Sequence, residues 1–255
     1  LKELPPAPAA YDQKMYTSVR RAAPEKAVGI SPVTEKGRVA IIVDDMGSSL
    51  FEAQSLLAIK VPLTFAIIPG LPKAKAVTAA AQAAGTKVMV HLPMEPQGYP
   101  DQRLEENGLL VKYSAEEITE RTAALLAAVP AAVGANNHMG SRFTEQEEKM
   151  LPVLKVLKER GLFFVDSRTT PRSVGLAVAE RLGVKSVARN VFLDNEQDIV
   201  EIKKQLRAAV QLSRSKGGVI AICHPHPATI QALKEALPEL QSAGVSFIPV
   251  GELVR

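Results

Sequence analysis

Val39-Ala40-Ile41-Ile42-Val43-Asp44-Asp45 is a short apolar run that ends on two carboxylates. Runs of this length, bounded by turn residues, read as buried parallel strands. The pattern recurs. Lys87-Val88-Met89-Val90 stops at His91, Ala132-Val133-Gly134-Ala135-Asn136-Asn137 stops at His138, and Val219-Ile220-Ala221-Ile222-Cys223 stops at His224-Pro225-His226. All four histidines therefore sit where an apolar run ends. In parallel α/β folds the ligand site lies at the C-terminal ends of the strands. Carboxylates and imidazoles converging there are what a divalent metal and acid–base chemistry require.

Working outward, strands and helices alternate from residue 38 onward. The strands expected are 39–44, 63–68, 87–92, 132–137, 162–166, 187–193, 218–223 and 245–250. Ser114-x-x-Glu117 and Thr144-x-x-Glu147 have the form of capping boxes that open helices. Gly85, Gly161 and Gly244 fit helix C-terminal stops, and Pro152 falls inside a helix expected over 144–160. Eight strands and seven helices in this length suggest a distorted, closed or nearly closed β/α barrel of seven to eight strands. A doubly wound open sheet uses the same elements. The spread of polar strand endings favours the barrel, because an open sheet concentrates its site at one switch point. Asp45-Met46-Gly47-Ser48-Ser49 offers one glycine where a dinucleotide site wants three, which counts against a nicotinamide or flavin enzyme.

The 255 residues are 46% hydrophobic and 23% charged, a globular balance with room for one large domain. No run of about 18 apolar residues is present, so no transmembrane segment is expected in this chain. The single cysteine, Cys223, excludes an internal disulfide and lies inside an expected core strand. A net charge of +4 mildly favours acidic partners. With 4% aromatics and no basic run, nucleic-acid binding is not expected. Residues 1–37 carry Pro5, Pro6, Pro8, Pro24 and Pro32 without a sustained apolar period, and read as a linker or arm ahead of a domain over 38–255. A start at Leu1 fits a longer product with a signal or anchor upstream, and a boundary set by cloning fits it equally.

Two carboxylates in one cleft repel, and a cation beside them keeps both ionised, one as ligand and one as base. The alternative for Asp45 is a helix cap, since Ser48 or Ser49 and a helix follow. His91 leads into Leu92-Pro93-Met94-Glu95-Pro96, whose prolines stiffen a loop that holds Glu95 near the site. His138 sits in the polar cluster Asn136-Asn137-His138-Met139-Gly140-Ser141-Arg142, which seldom serves packing because its amides and guanidinium need partners when buried. Phe163-Phe164-Val165-Asp166-Ser167-Arg168 also ends a strand, so Arg142 and Asp166 read either as orienting groups or as rim ion-pair residues.

Ile41-Ile42-Val43-Asp44-Asp45 resembles the first motif of the polysaccharide deacetylases, in which a strand ends on two aspartates. Together with His91-Leu92-Pro93-Met94-Glu95-Pro96, Asn137-His138-Met139-Gly140-Ser141 and His224-Pro225-His226-Pro227, it resembles the divergent polysaccharide deacetylases of bacteria over about residues 38–250. The resemblance implies a distorted β/α barrel holding Zn²⁺ or a similar divalent ion. It implies Asp44 as catalytic base, Asp45 as metal ligand and His224 as general acid. Asn137, Arg142, Asp166 and His226 are read as substrate-binding or supporting residues.

The chain departs from the family in the second motif. There a His-Ser/Thr-x-x-His-Pro pattern supplies two metal histidines, whereas here His91 matches the first and Glu95 stands at the second. Glu95 can replace the imidazole with oxygen, or His138 can supply it from a neighbouring strand. Imidazole chemistry favours His138, with Glu95 in reserve. The expected function is hydrolytic removal of acetyl groups from an N- or O-acetylated polysaccharide, in the periplasm or elsewhere outside the cytoplasm. A glycan-binding or envelope-scaffold protein that keeps the metal cradle is the alternative from another class. A metal-dependent hydrolase of some other amide or ester is a third.

Overall fold

In a computed structural model the described residues are 37–255, so the arm expected over 1–37 lies, apart from Gly37, outside them. The elements alternate as β1 (Arg38–Met46), α1 (Leu50–Leu57), β2 (Thr64–Ile67), α2 (Ala74–Ala83), β3 (Lys87–Met94), α3 (Ala115–Ala127), β4 (Ala132–Met139) and α4 (Glu147–Glu159). They continue as β5 (Phe163–Asp166), α5 (Gly175–Leu182), β6 (Ser186–Ala188), β7 (Val191–Phe192), α6 (Ile199–Lys216), β8 (Val219–Cys223), α7 (Pro227–Ser242) and β9 (Ser246–Phe247). All strand pairs are parallel, in the order β6-β5-β4-β3-β2-β1-β8-β7, with β9 against the start of β1.

The alternation along each strand builds two cores. Ile41, Val43, Phe65, Val88, Val90, Phe164 and Ala221 face outward into the helix layer. Ala40, Ile42, Ala66, Met89, Val165, Ile220 and Ile222 fill the interior. This two-sided burial is why the strands read as continuous apolar runs. Ile248, Val250, Leu253 and Val254 close the floor of the interior, with the Val250 N–H donating to Thr64. The opposite end, at the C-termini of the strands, remains for the site.

The expected strand 187–193 divides in two. Its first half pairs with β5 and its second with β8, at opposite ends of the strand order. Only Arg189 and Asn190 join the halves, and three residue steps span at most about 11 Å. The sheet must therefore curl until its edges meet. Arg189 donates its N–H to Asp166 O while Asn190 donates to Ile220 O, so the crossover itself stitches the seam. That connection excludes the open sheet and gives a distorted β/α barrel.

Local signals hold unevenly. Ser114 caps α3 by accepting the Glu117 N–H at 3.2 Å. Thr144 does not cap α4: its hydroxyl donates to Gly140 O at 2.8 Å, a short 3₁₀ turn occupies Phe143–Glu145, and the helix starts from Gln146. Gly134 faces the Phe163 ring across the β4–β5 pair, where a Cβ would stand 2.4 Å from it, so that position has room for glycine alone.

Candidate functional site

The first strand ends on a bulge. Val43 pairs with Phe65 and Met46 with Ile67, so β1 spends one residue more than β2 over this stretch. The extra residue is accommodated at Asp45, whose φ of 56° lies in the left-handed region that aspartate tolerates better than most side chains. Asp44 follows Ala40 and Ile42 onto the interior face. Simple alternation would send Asp45 into the helix layer, and the left-handed turn brings it to the mouth instead. The capping role beside it belongs to Ser49, which accepts the Glu52 N–H at the start of α1.

The strands β3 and β4 run further than expected, pairing in register as far as Met94 and Met139. His91 is therefore placed directly beside Asn136, and His138 two residues further along the same face. His91 Nδ1 lies 2.8 Å from Asn136 Oδ1, while Asn136 Nδ2 donates to Asp44 Oδ1 at 2.8 Å and to Ser167 Oγ at 3.1 Å. Because the amide nitrogen faces the carboxylate, its oxygen must face the ring, and Nδ1 of His91 is the protonated nitrogen. Its Nε2 lone pair is left for a ligand.

That Nε2 lies 3.2 Å from Asp45 Oδ1, and His138 Nδ1 lies 2.8 Å from the same oxygen. Neither contact is aligned as a hydrogen bond, and this buried oxygen makes none. The three donor atoms stand within 4.8 Å of one another. Zinc with bonds of about 2.0–2.1 Å sets its ligands roughly 3.3 Å apart. One carboxylate and two imidazole lone pairs crowded at this spacing fit a divalent cation.

The electrostatics separate the two aspartates. Burial raises the pKa of Asp44, against the opposing charges of His91 and His224. Burial acts on Asp45 in the same sense but is outweighed by His138, His91 and His224, so Asp45 is held ionised well below the usual carboxylate range. Neighbouring carboxylates with divergent pKa values suit divided roles. Strain gathers here too. Asp45, Met139 and Arg168 all adopt left-handed backbone at the ends of β1, β4 and β5, which is where functional sites hold strain.

On the far side, β8 presents His224. Asp194, just past β7, approaches its ring Nδ1 at 3.1 Å and accepts its backbone N–H at 2.6 Å and the Thr229 hydroxyl at 2.9 Å. Burial works against a charge on His224. The Asp194 hydrogen bond and charge, with Asp45 and Asp44, overcome it and raise the pKa to about 9. Phe192 stacks near-parallel to the ring, with centroids 6.0 Å apart. His226, 5.7 Å from His224 between ring centroids, begins α7 with Pro227 in its first turn, and its pKa is lowered by burial and the charge of His224. Asp194, His224 and His226 also form a compact group. Both oxygens of Asp194 are already engaged by hydrogen-bond donors, so this group is a positioned histidine and not a second cation cradle.

The remaining residues singled out from sequence brace the rim. Glu95 accepts from Arg142 at 2.8 Å and from the Val111 N–H at 2.7 Å, leaving neither oxygen free for a metal. Its backbone carbonyl receives the N–H groups of Arg142 and Phe143. Asn137, on the opposite face from Asn136, accepts the Ser167 N–H and donates to Met139 O, holding the ends of β4 and β5 together. Asp166 is fully buried and accepts from Arg168 N, Ser173 Oγ and Leu176 N, organising the turn into α5. Sequence reasoning missed Asn136, Ser167 and Asp194 as site residues. Asp194 had the available signal, since Val191-Phe192-Leu193 is another apolar run ending on a carboxylate.

The chain matches the divergent polysaccharide deacetylase family over residues 41–254. An uncharacterized protein of Haemophilus influenzae is 34% identical over 220 residues, covering 86% of this chain and 78% of the relative. The uncharacterized protein YibQ of Escherichia coli is 37% identical over 210 residues, covering 82% of this chain and 65% of that protein, less than two thirds of its length. Among solved structures, an uncharacterized protein from Agrobacterium tumefaciens superposes with a TM-score of 0.81 at 24% identity, covering 88% of this chain and 92% of the other. A family 4 acetyl xylan esterase from Clostridium thermocellum, in complex with a cobalt ion, gives 0.51 at 15% identity over 85% and 89% of the two chains. A CE4 family pseudoenzyme from Bacillus anthracis gives 0.54 at 14% identity over 86% and 65%. At these identities the structural likenesses establish the fold. The family match, which spans most of the chain, goes further, and on it the chain is a member of the divergent polysaccharide deacetylase family.

Proposed function

We propose that the protein is a metal-dependent hydrolase that removes acetyl groups from an N- or O-acetylated polysaccharide outside the cytoplasm. The observation that carries this reading is the convergence of Asp45, His91 and His138 on one point, with Asp44 joined to His91 through Asn136. Those three residues would hold the cation, zinc by the chemistry of two imidazoles and one carboxylate. When bound, a divalent ion there polarises an acyl oxygen and makes a coordinated water acidic enough to react near neutral pH.

The chain's own groups do the rest. Asp44, buried and with a raised pKa, accepts a proton from the attacking water. Asn136 fixes the orientation of that carboxylate and of the His91 ring together. His224 is charged at neutral pH, and Asp194 turns its Nε2 face toward the cleft to protonate the departing amine or alkoxide. The family relationship supports an acetylated carbohydrate as substrate, as does the acetyl xylan esterase of the same fold. Acetate release from acetylated glycan polymers, measured with and without added zinc, tests the reading, with Asp44→Asn as the control that keeps the metal.

One observation favours a second reading. The family's second motif histidine is replaced by Glu95, which is committed to Arg142. A glycan-binding protein that keeps the cation but turns over nothing would show saturable glycan binding and no acetate release.

A further inference from the structure

Between β3 and α3 the chain makes a long excursion over residues 95–114, without the apolar period of either element. Asn107 pins it to the segment after β2 by donating to Pro69 O at 2.8 Å, and Glu105 O accepts the Gly108 N–H at 2.8 Å. The Glu105 carboxylate is folded inward. Its Oε2 is buried, makes no hydrogen bond, and stands 3.7 Å from His138 Nε2. A buried carboxylate oxygen without a donor is costly, so its placement calls for a partner.

The partner follows from imidazole chemistry. A neutral histidine that gives one nitrogen to a cation carries its proton on the other. His138 turns Nδ1 toward Asp45 Oδ1, at 2.8 Å, so with a cation bound its proton resides on Nε2, the nitrogen facing Glu105. A movement of less than about 1 Å brings that pair to ordinary N–H···O distance. We propose that Glu105 is the positioning residue of the third metal ligand: its carboxylate accepts a hydrogen bond from the Nε2–H of His138 and holds the ring with Nδ1 toward Asp45 and His91. The proposal rests on the metal reading above. His91 leans on a neutral amide, Asn136, whereas His138 has a carboxylate behind it. The excursion thereby supplies support for a ligand that β4 contributes in place of the absent second-motif histidine.

Zinc affinity of the full chain, by competition with a chromophoric chelator, tests this directly. Glu105→Ala weakens binding by about 10–100-fold, the usual effect of losing such an outer partner. Glu105→Gln, which keeps an acceptor without the charge, weakens it by less, and Glu106→Gln at the exposed neighbouring position leaves it unchanged. Nitrogen-15 spectra of the four histidines in the zinc form show the proton of His138 on Nε2. If Glu105→Ala does not fold, Glu105→Gln and the spectra decide. Equal affinities for wild type and both Glu105 variants, or a zinc-bound Nε2 on His138, overturn the proposal while the metal reading stands. A wild-type chain that takes up no zinc overturns both.

Discussion

Asp194 holds His224 at two points, approaching its ring Nδ1 at 3.1 Å and accepting its backbone N–H at 2.6 Å. The carboxylate thereby fixes both where the imidazole stands and which nitrogen faces the cleft. It also stabilises the charged ring, and this gives the first prediction its sign.

In the metal-free protein, His224 titrates near pH 9, above the ordinary histidine value of 6.5. A raised histidine pKa contributes stability that is fully present below about 6.5 and is lost as pH rises through about 9. Asp194→Asn removes the charge, so its His224 pKa falls, and its stability deficit against wild type is largest at low pH and shrinks through that window. The histidine resonances and chemical denaturation at several pH values check both. A His224 pKa unmoved by the substitution contradicts the account.

Asp44→Asn keeps the shape of the side chain and removes the base. The variant binds one zinc with near wild-type affinity, since Asp44 is not among the three converging ligand donors. Acetate release drops by about 10²–10⁴-fold, the range of general-base contributions. Turnover equal to wild type would leave Asp44 a structural role only.

Glu95→Ala separates bracing from ligation. It strips the Val111 N–H and the Arg142 guanidinium of their acceptor. The Val111 N–H is only part-buried and the Arg142 side chain is exposed. The loss therefore falls below the roughly 1–3 kcal/mol of a fully buried unsatisfied donor, and the melting temperature falls modestly while one zinc still binds. Loss of zinc from a variant that remains folded would make Glu95 a ligand.

How much of this was legible from residues follows from what each signal encodes. The strand cores read clearly because both faces are buried, which leaves little room for polar residues until the mouth is reached. For the same reason Asp44, Asp45, His91, His138 and His224 stand out at the run ends. The split of 187–193 was not legible, because the break at Arg189-Asn190 reflects a change of pairing partner and no change in local propensity. The Thr144 pattern misled, since its hydroxyl is drawn back to Gly140 by the turn that follows β4. Asn136 was hidden by its neighbour. Adjacent asparagines look equivalent in sequence, and only the pleat shows that one enters the site while Asn137 ties strand ends. Glu105 carries no periodic or motif signal, because a loop residue is brought to His138 by the path of the excursion alone.

The central claim is that Asp45, His91 and His138 hold a divalent cation, and a zinc-soaked crystal measured at the zinc absorption edge tests it most directly. The account predicts one anomalous peak within about 2.0–2.3 Å of Asp45 Oδ1, His91 Nε2 and His138 Nδ1. A peak held by Glu95 or by the Asp194–His224–His226 group, or none at saturating zinc, would contradict it.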